Sequence, residues 1–590
     1  MFKRKFLQTG IALLAGGWLV AGWQSAPHAQ RRTPVVTAAQ RALIADYCVS
    51  CHNQKKKTAG IVLEGLDFTR VANQADLWEK VLRKVSTGQM PPANAPKPDK
   101  AEAGAFVKWL EGTLDHAAAV NPQPGRPAVH RLNRAEYSNA IRDLLAVDIQ
   151  PGQWLPVDDS GHGFDNIGEV LSLSPALVEK YLSAARRISR LAIGDKTIKP
   201  SEDRYLPRRN SRNEKTSEDL PFFSRGGLSV NHYFPLDGEY LIRVRTPSNG
   251  ETGEPVRFFD HKLNVKAGLH KVGAAYPRLS AKADPAIPMV RRPGAAAPPA
   301  TANVRTQPLD LRLDGARIER FEIPETTSVE MMIVSGPFNA TGRGETASRK
   351  LIFSCRPVVA NEEAACAKQI LSHLARRAFR RPVNEADVTP LLAFYEQGSR
   401  SGEFDDGIQR ALEAMLVAPD FLLRVESEPK TPGLSRAFRL NDLDLASRLS
   451  FFLWSSIPDE ELLSLAEQNK LQDAATLQQQ IRRMLADPRA EALVKNFAGQ
   501  WLQLRNLDTV TPDPVVYPGF DESLKLAFRR ETELFFESVL RDNRSAMDLL
   551  EADYTFLNQK LAEHYGIRGV YGPQFRRVSL NSEQRAQRGG

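Results

Sequence analysis

Cys48-Val49-Ser50-Cys51-His52 is the stretch that most narrows what this 590-residue chain can build. Two thiols separated by two residues, with a histidine directly after the second, have the spacing of covalent c-type haem attachment. Each thiol adds to one vinyl group of the porphyrin, so both sulfurs must reach the edges of a single ring. The surrounding chain then has to wrap one flat apolar disc, with His52 beneath the iron as the proximal ligand. A zinc knuckle and a disulfide are the other chemistries open to such a pair. The chain has four cysteines, and no second Cys/His pair of zinc spacing accompanies these two. One covalently bound haem c is the expected cofactor.

Thr87-Gly88-Gln89-Met90-Pro91-Pro92 supplies the candidate for the far side of the iron. A glycine and two prolines keep this segment out of helix. Met90 is the expected distal ligand, with a plain core methionine as the alternative. Methionine/histidine ligation fills both axial positions and favours electron transfer over oxygen chemistry. Helical spacing of Leu43, Ile44 and Tyr47, then Trp78, Val81, Leu82 and Val85, then Phe106, Trp109, Leu110 and Leu114, makes residues 37–120 a compact all-α cytochrome c unit.

The N-terminus bears on the compartment. Lys3-Arg4-Lys5 precedes an apolar run from Ile11 to Ala21 and small residues at Ser25, Ala26 and Ala29, so residues 1–29 read as a secretory signal. Pro27 disturbs the cleavage site; left uncut, the segment would anchor the chain to a membrane, although the run is short for a span. The protein is expected to be exported and periplasmic. Cys355 and Cys366, eleven positions apart in such a chain, are expected to form a disulfide, two separate buried thiols being the alternative. A formal charge of +9 without a long polybasic run gives no reason to expect a nucleic-acid partner. Arg376-Arg377, Arg380-Arg381 and Arg529-Arg530 read as solvated helix faces with ion pairs.

The length exceeds what a single core supports. After a linker at 121–127, residues 128–195 form a helical module, with Asn133 as cap, Glu136 three residues on, and Tyr137, Ile141, Leu144 and Leu145 as its buried stripe. The following loop holds Asp158, Asp159, His162 and Asp165, a set that could hold a metal or do acid/base work, although Asp and Asn in Gly-rich loops more often make turns and helix caps. Between 205 and 355 the period changes to alternation, as at Tyr240, Ile242 and Val244 or Leu309, Leu311 and Leu313, which predicts a β-sandwich. Residues 283–308, rich in Ala and Pro, read as a disordered insertion. Helical stripes return over 362–428 (Ile370, Leu371, Leu374, Ala378) and 438–580. The second of these carries Leu445, Leu449, Phe452 and Leu453 behind an Asn441 or Asp442 cap, then Leu524, Phe528, Phe535 and Val539. The expected fold class is multidomain, mainly α with an inserted β-sandwich, opening on an all-α cytochrome c fold.

Several of these motifs together resemble one family. His130-Arg131-Leu132-Asn133-Arg134, Gly163-Phe164-Asp165-Asn166, Leu173-Ser174-Pro175-Ala176-Leu177, Ser335-Gly336-Pro337-Phe338-Asn339, Ala375-Arg376-Arg377-Ala378-Phe379-Arg380-Arg381-Pro382 and Ala552-Asp553-Tyr554-Thr555-Phe556-Leu557-Asn558 are similar to stretches of the planctomycete-type multidomain cytochrome proteins. That resemblance implies a secreted monohaem cytochrome joined to helical domains of unknown function, and a sandwich similar to carbohydrate-binding ones. An unidentified redox partner protein and a polysaccharide are the partners it suggests. It leaves three functions open: an electron carrier, a haem-coupled oxidoreductase acting on polysaccharide, and a non-redox carbohydrate-binding or assembly protein. It also implies two further C-terminal modules, so a truncated chain is expected.

Overall fold

A computed structural model describes residues 36–121, 129–207, 219–221, 224–246, 257–277, 306–324, 329–400, 402–427, 438–513, 515–517 and 519–588. The expected signal at 1–29 and residues 283–305 of the expected insertion lie outside the described residues. The chain divides into two compact units, Met1–Arg126 with Pro429–Arg439, and Pro127–Glu428 with Leu440–Gly590.

In the first unit, helices α1 (Ala38–Tyr47), α2 (Ala75–Ser86) and α3 (Lys100–Val120) surround one small core. Gln40 reaches back to the Thr37 backbone N–H (2.6 Å) to start α1, and Asp99 accepts from the Glu102 N–H (2.7 Å) to start α3. Leu43 and Ile44 meet Trp78 and Val81 of α2 and Phe106, Trp109, Leu110 and Leu114 of α3, while the loops contribute Leu63 and Val71. Phe68 lies 5.5 Å from the Trp78 ring and 6.3 Å from that of Trp109.

The second unit opens with β1 (His130–Arg131), α4 (Arg134–Leu145) and α5 (Pro175–Ile193). The Asn133/Glu136 capping box forms, and Tyr137, Ile141, Leu144 and Leu145 are fully buried. Gly194 ends α5 at φ +71°, where a side chain would meet the Arg343 carbonyl. There follow β2 (Ser201–Tyr205), β3 (Ser224–Phe234), β4 (Asp237–Thr246), β5 (Arg257–Val265), β6 (Gly268–Pro277), β7 (Thr306–Leu313), β8 (Ala316–Pro324) and β9 (Met331–Gly342). They make two antiparallel four-stranded sheets, β2-β9-β4-β5 and β3-β6-β7-β8. Tyr240, Ile242, Val244, Met332 and Val334 of one sheet face Phe234, Val272, Leu309, Leu311 and Ile323 of the other. Gly336 sits at φ +144° with the Tyr240 ring against it, so no side chain fits there. Thr306, Gln307 and Pro308, expected in the insertion, instead begin β7. Pro308 is tolerated because β6 pairs with β7 only from Asp310 onward.

Helices α6 (Ala347–Ile352), α7 (Glu363–Phe379), α8 (Glu385–Arg400), α9 (Phe404–Met415) and α10 (Pro419–Leu422) then return to the same core as α4 and α5. Strand β10 (Leu423–Arg424) pairs with β1, His130 opposite Arg424. The helical stretches on either side of the sandwich are thus two parts of one hydrophobic body. Cys355 and Cys366 are joined at its edge, with Cα atoms 5.9 Å apart. Its ionic centre is Asp405, buried among Arg349 (2.8 Å), Arg343 (3.6 Å) and Arg356.

The remainder comprises α11 (Asp442–Trp454), α12 (Glu460–Glu467), α13 (Ala474–Ala486), a π-helical turn at Leu493–Ala498, α14 (Gly499–Trp501) and α15 (Glu522–Arg541), then the antiparallel pair β11 (Tyr554–Leu557) and β12 (Arg576–Ser579). Asn441 caps α11. Phe452, expected on its buried stripe, is 59 % exposed; Phe451 and Trp454 fill the core instead. Among the described residues no helix is long and apolar enough to cross a membrane.

Candidate haem site

The Cys-x-x-Cys-His motif continues the coil of α1 for one further turn. The N–H of Cys48 donates to the Ile44 carbonyl (3.0 Å), and those of Cys51 and His52 donate to the Cys48 carbonyl (3.2 and 2.9 Å). That turn leaves Cys48 against the apolar core and Cys51 exposed, both as free thiols. Burial pushes the Cys48 thiol up to about 11. The loop after the motif folds back over it: Leu63 N–H donates to the His52 carbonyl (2.7 Å) and the Thr58 hydroxyl to the Cys51 carbonyl (2.8 Å). Thr58 is thereby fixed with its own carbonyl 3.1 Å from His52 Nδ1. With Nδ1 donating there, Nε2 keeps its lone pair for a metal, the arrangement by which a protein orients a ligating imidazole.

Met90 follows α2 in a loop held by its N–H donating to the Lys84 carbonyl (3.0 Å), with Gly88 at φ +67° making the turn. Its side chain is 38 % exposed, so the sulfur is not locked into the core. Inside the unit, Trp109 Nε1 is buried with no hydrogen-bond acceptor among the described residues. A buried indole N–H ordinarily finds one. Two free thiols on one turn, an imidazole with an oriented second nitrogen, an unburied thioether and an orphan donor fit a covalently bound haem c.

A planctomycete cytochrome C family model matches residues 48–94, which span Cys48, Cys51, His52 and Met90. Three models described as proteins of unknown function match the second unit: DUF1587 over 130–194, DUF1595 over 366–426 and DUF1592 over 440–567. The chain belongs to the planctomycete-type multidomain cytochrome proteins. No curated protein and no solved structure is found to match it. In this family member the Cys48/Cys51 pair lies in the cytochrome domain and is consistent with covalent haem c, and the other matched domains bring no assigned reaction with them.

Asp158 and Asp165, of the other charged candidates, make structural contacts. Asp158 pairs with Arg131 (2.6 Å) and accepts from the Arg134 N–H (2.7 Å) at the start of α4. Asp165 accepts from Asn133 Nδ2 (3.1 Å) and pairs with Arg505 (2.5 Å). Asp159 and His162 are exposed, His162 in a turn at φ +52°. Among the described residues no group of three His, Cys, Asp or Glu side chains could hold a metal ion. In the Arg376–Arg381 run the expected ion pairs form at Arg376 and at Arg381, the latter with Asp387 (2.9 Å) and Asp420 (2.8 Å), but Arg377 and Arg380 turn to backbone carbonyls instead of solvent. Arg376 pairs with Glu460 and Glu467 (both 2.7 Å), and Arg377 donates to the carbonyls of Asp143 and Leu144 that end α4. Arg380 is buried and donates to the carbonyls of Ala378, Asp420, Phe421 and Leu423, since the short α10 offers carbonyls that nothing else caps. Burial, reinforced by Arg424, pulls its guanidinium down to about 10. Arg529 and Arg530 do make the expected surface pairs, with Asp508 (2.9 Å) and with Glu491 and Glu533.

In the sandwich, Phe258 is exposed on edge strand β5 under the Arg243 guanidinium (5.2 Å), which Asp260 holds by two 2.9 Å bonds. His232 is buried, bonded through Nδ1 to the Tyr205 hydroxyl (2.7 Å) and driven down to about 4 by burial. Thr58 gave no sign in the sequence, because its role depends on a loop doubling back rather than on any spacing.

Proposed function

We propose that this protein is an exported electron carrier whose haem c is tethered by Cys48 and Cys51 and ligated by His52 and Met90. The observation that carries this reading is the engagement of His52 Nδ1 by the Thr58 carbonyl beside two unbridged thiols on one turn, with no group of three His, Cys, Asp or Glu among the described residues placed to hold a zinc ion. Haem bound there would supply reversible one-electron chemistry at iron. The chain's own part is positional. Cys48 and Cys51 would tether the ring, the Thr58 carbonyl orients the His52 imidazole, and Leu63 and Phe68 are among the apolar residues that keep water from the site. Lys55, Lys56 and Lys57, all exposed directly after the motif, lend the region positive charge that would steer an acidic face of a redox partner. Periplasmic export agrees with the N-terminal charge and apolar pattern and with haem attachment outside the cytoplasm.

The test is a reduced-minus-oxidised spectrum of protein recovered from the periplasm. The wild type should give a c-type α band that survives acid-acetone extraction. Cys48→Ala/Cys51→Ala should lose it, and retention of a covalent haem signal in that double variant would reject the reading.

A further inference from the structure

The haem reading leaves Gly163-Phe164-Asp165-Asn166 unexplained, and the fold carries this stretch to the π-helical turn at Leu493–Ala498 and to α14. The Asp165 N–H donates to Gln500 Oε1 (2.8 Å), 335 positions on, and the Asp165 carboxylate pairs with Arg505 (2.5 Å). Gln500 donates in turn to the Asn496 carbonyl (2.6 Å), and Asn496 Nδ2 donates to the Ser455 hydroxyl oxygen (2.9 Å). Clamped in this way, the Phe164 ring lies 5.9 Å from that of Phe497, and Phe497 lies 5.7 Å from Trp501. Successive ring planes differ by only 18° and 24°. Phe536 of α15 completes the group, 6.4 Å from Phe497 and 6.5 Å from Trp501. A π-helical turn changes which residues share a helix face, and such turns are frequent at functional sites.

Two of these firmly held rings are not buried: Phe497 is 37 % exposed and Trp501 52 %. Fixed aromatic surface left open to water is a recognition feature rather than core. Its size bears on the partner. Taking about 150–250 Å² for a whole aromatic side chain, the open parts of Phe497 and Trp501 come to roughly 200 Å². A stable protein interface needs about 800 Å² from each side. The open area is instead of the order of one or two pyranose faces. Charge points the same way. At the rim Arg505 pairs with Asp165 and Lys495 with Glu491 (3.0 Å), so these groups select neither an anion nor a cation. The Arg505 side chain is exposed, and a guanidinium has more N–H groups than one carboxylate can accept, which suits it to hydroxyl oxygens. A sugar ring joins an apolar C–H face to a border of hydroxyls, and its weakly positive C–H bonds are attracted to the negative face of an aromatic ring. We propose that Phe497 and Trp501 form a stacking platform for the pyranose rings of a neutral glycan, with Phe164 and Phe536 holding the platform and Arg505 donating to the sugar hydroxyls. The platform belongs to the helical part of the second unit, not to the sandwich, and the proposal stands independently of the haem reading.

The experiment is isothermal titration of the full-length chain with cellohexaose, xylohexaose, mannohexaose and maltohexaose, each a neutral chain of pyranose rings. At least one should bind with a Kd below about 1 mM. Trp501→Ala should weaken the tightest of them at least about tenfold and Phe497→Ala several-fold, the loss expected when a stacked ring is removed. Trp501→Phe, which keeps a flat face, should recover most of the binding. Tyr571→Ala removes a ring outside this group that is 72 % exposed, and should leave the affinity unchanged. Binding by none of the four, equal affinity in Trp501→Ala and wild type, or an equal loss in Tyr571→Ala would overturn the proposal. So would sedimentation showing a dimer that Trp501→Ala dissociates, since the face would then belong to a second copy of the chain.

Discussion

Cys48 offers a sharp test of how the haem motif is built, because its thiol is set against a core while Cys51 looks outward. Burial lifts it from an ordinary 9.0 to about 11. At pH 8 that lowers the thiolate fraction about a hundredfold, each unit being a factor of ten. The more basic thiolate is also the better nucleophile, with a slope of roughly 0.4–0.5, which recovers about one factor of ten. Alkylation of Cys48 should therefore run about tenfold slower than that of a free thiol of ordinary basicity, before any steric hindrance is counted. The measurement is iodoacetamide labelling of reduced, haem-free chain made without export, followed by mass spectrometry of the Cys48 peptide against a simple thiol standard. Because the shift is upward, the labelling rate should still be climbing at pH 10, where the standard has levelled off. A Cys48 rate equal to or faster than the standard at pH 8 would refute the buried placement, and with it the idea that this sulfur waits at the edge of the core.

Met90→Ala should lower the reduction potential of the haem-loaded protein and open its sixth position to added imidazole, both read by spectroelectrochemistry; an unchanged potential would remove Met90 as ligand. Asp405→Asn strips the carboxylate from three arginines, two of them buried, and should cost about 3–5 kcal/mol in the unfolding of the helical body. A loss below about 1 kcal/mol by denaturant titration would mean the cluster is no better than a surface pair. His232 is held near 4 against an ordinary 6.5, so unfolded chain binds its proton first as pH falls. Stability from this group is complete above pH 6.5 and drains away toward pH 4, by up to about 3 kcal/mol. His232→Phe should flatten that part of the pH–stability curve for the sandwich, measured by hydrogen exchange.

What could be read from the sequence was local. The capping box at Asn133 and Glu136, the alternation through Tyr240, Ile242 and Val244, and the thiol–thiol–imidazole spacing each lie within a few residues, and each has its physics on the page before any folding. What could not be read was the meeting of distant segments. Arg380 looks like a surface cation until α10 presents its carbonyls, and Phe452 looks like core until Phe451 and Trp454 take the space. His52 stood out in the sequence as a candidate ligand, but the Thr58 carbonyl that meets its Nδ1 did not.

The sandwich interrupts a helical body whose two parts share one core, and this governs the order in which the protein can come into being. As the chain emerges, α4 and α5 must keep Tyr137, Ile141 and Ile188 from sticking elsewhere until α7 and α9 arrive to cover them. The strands between them can meanwhile close on themselves. A deletion that replaced strands β2 to β9 by a short bridge would bring the waiting partners together sooner, turning the slowest encounter in this half of the molecule into one of its fastest.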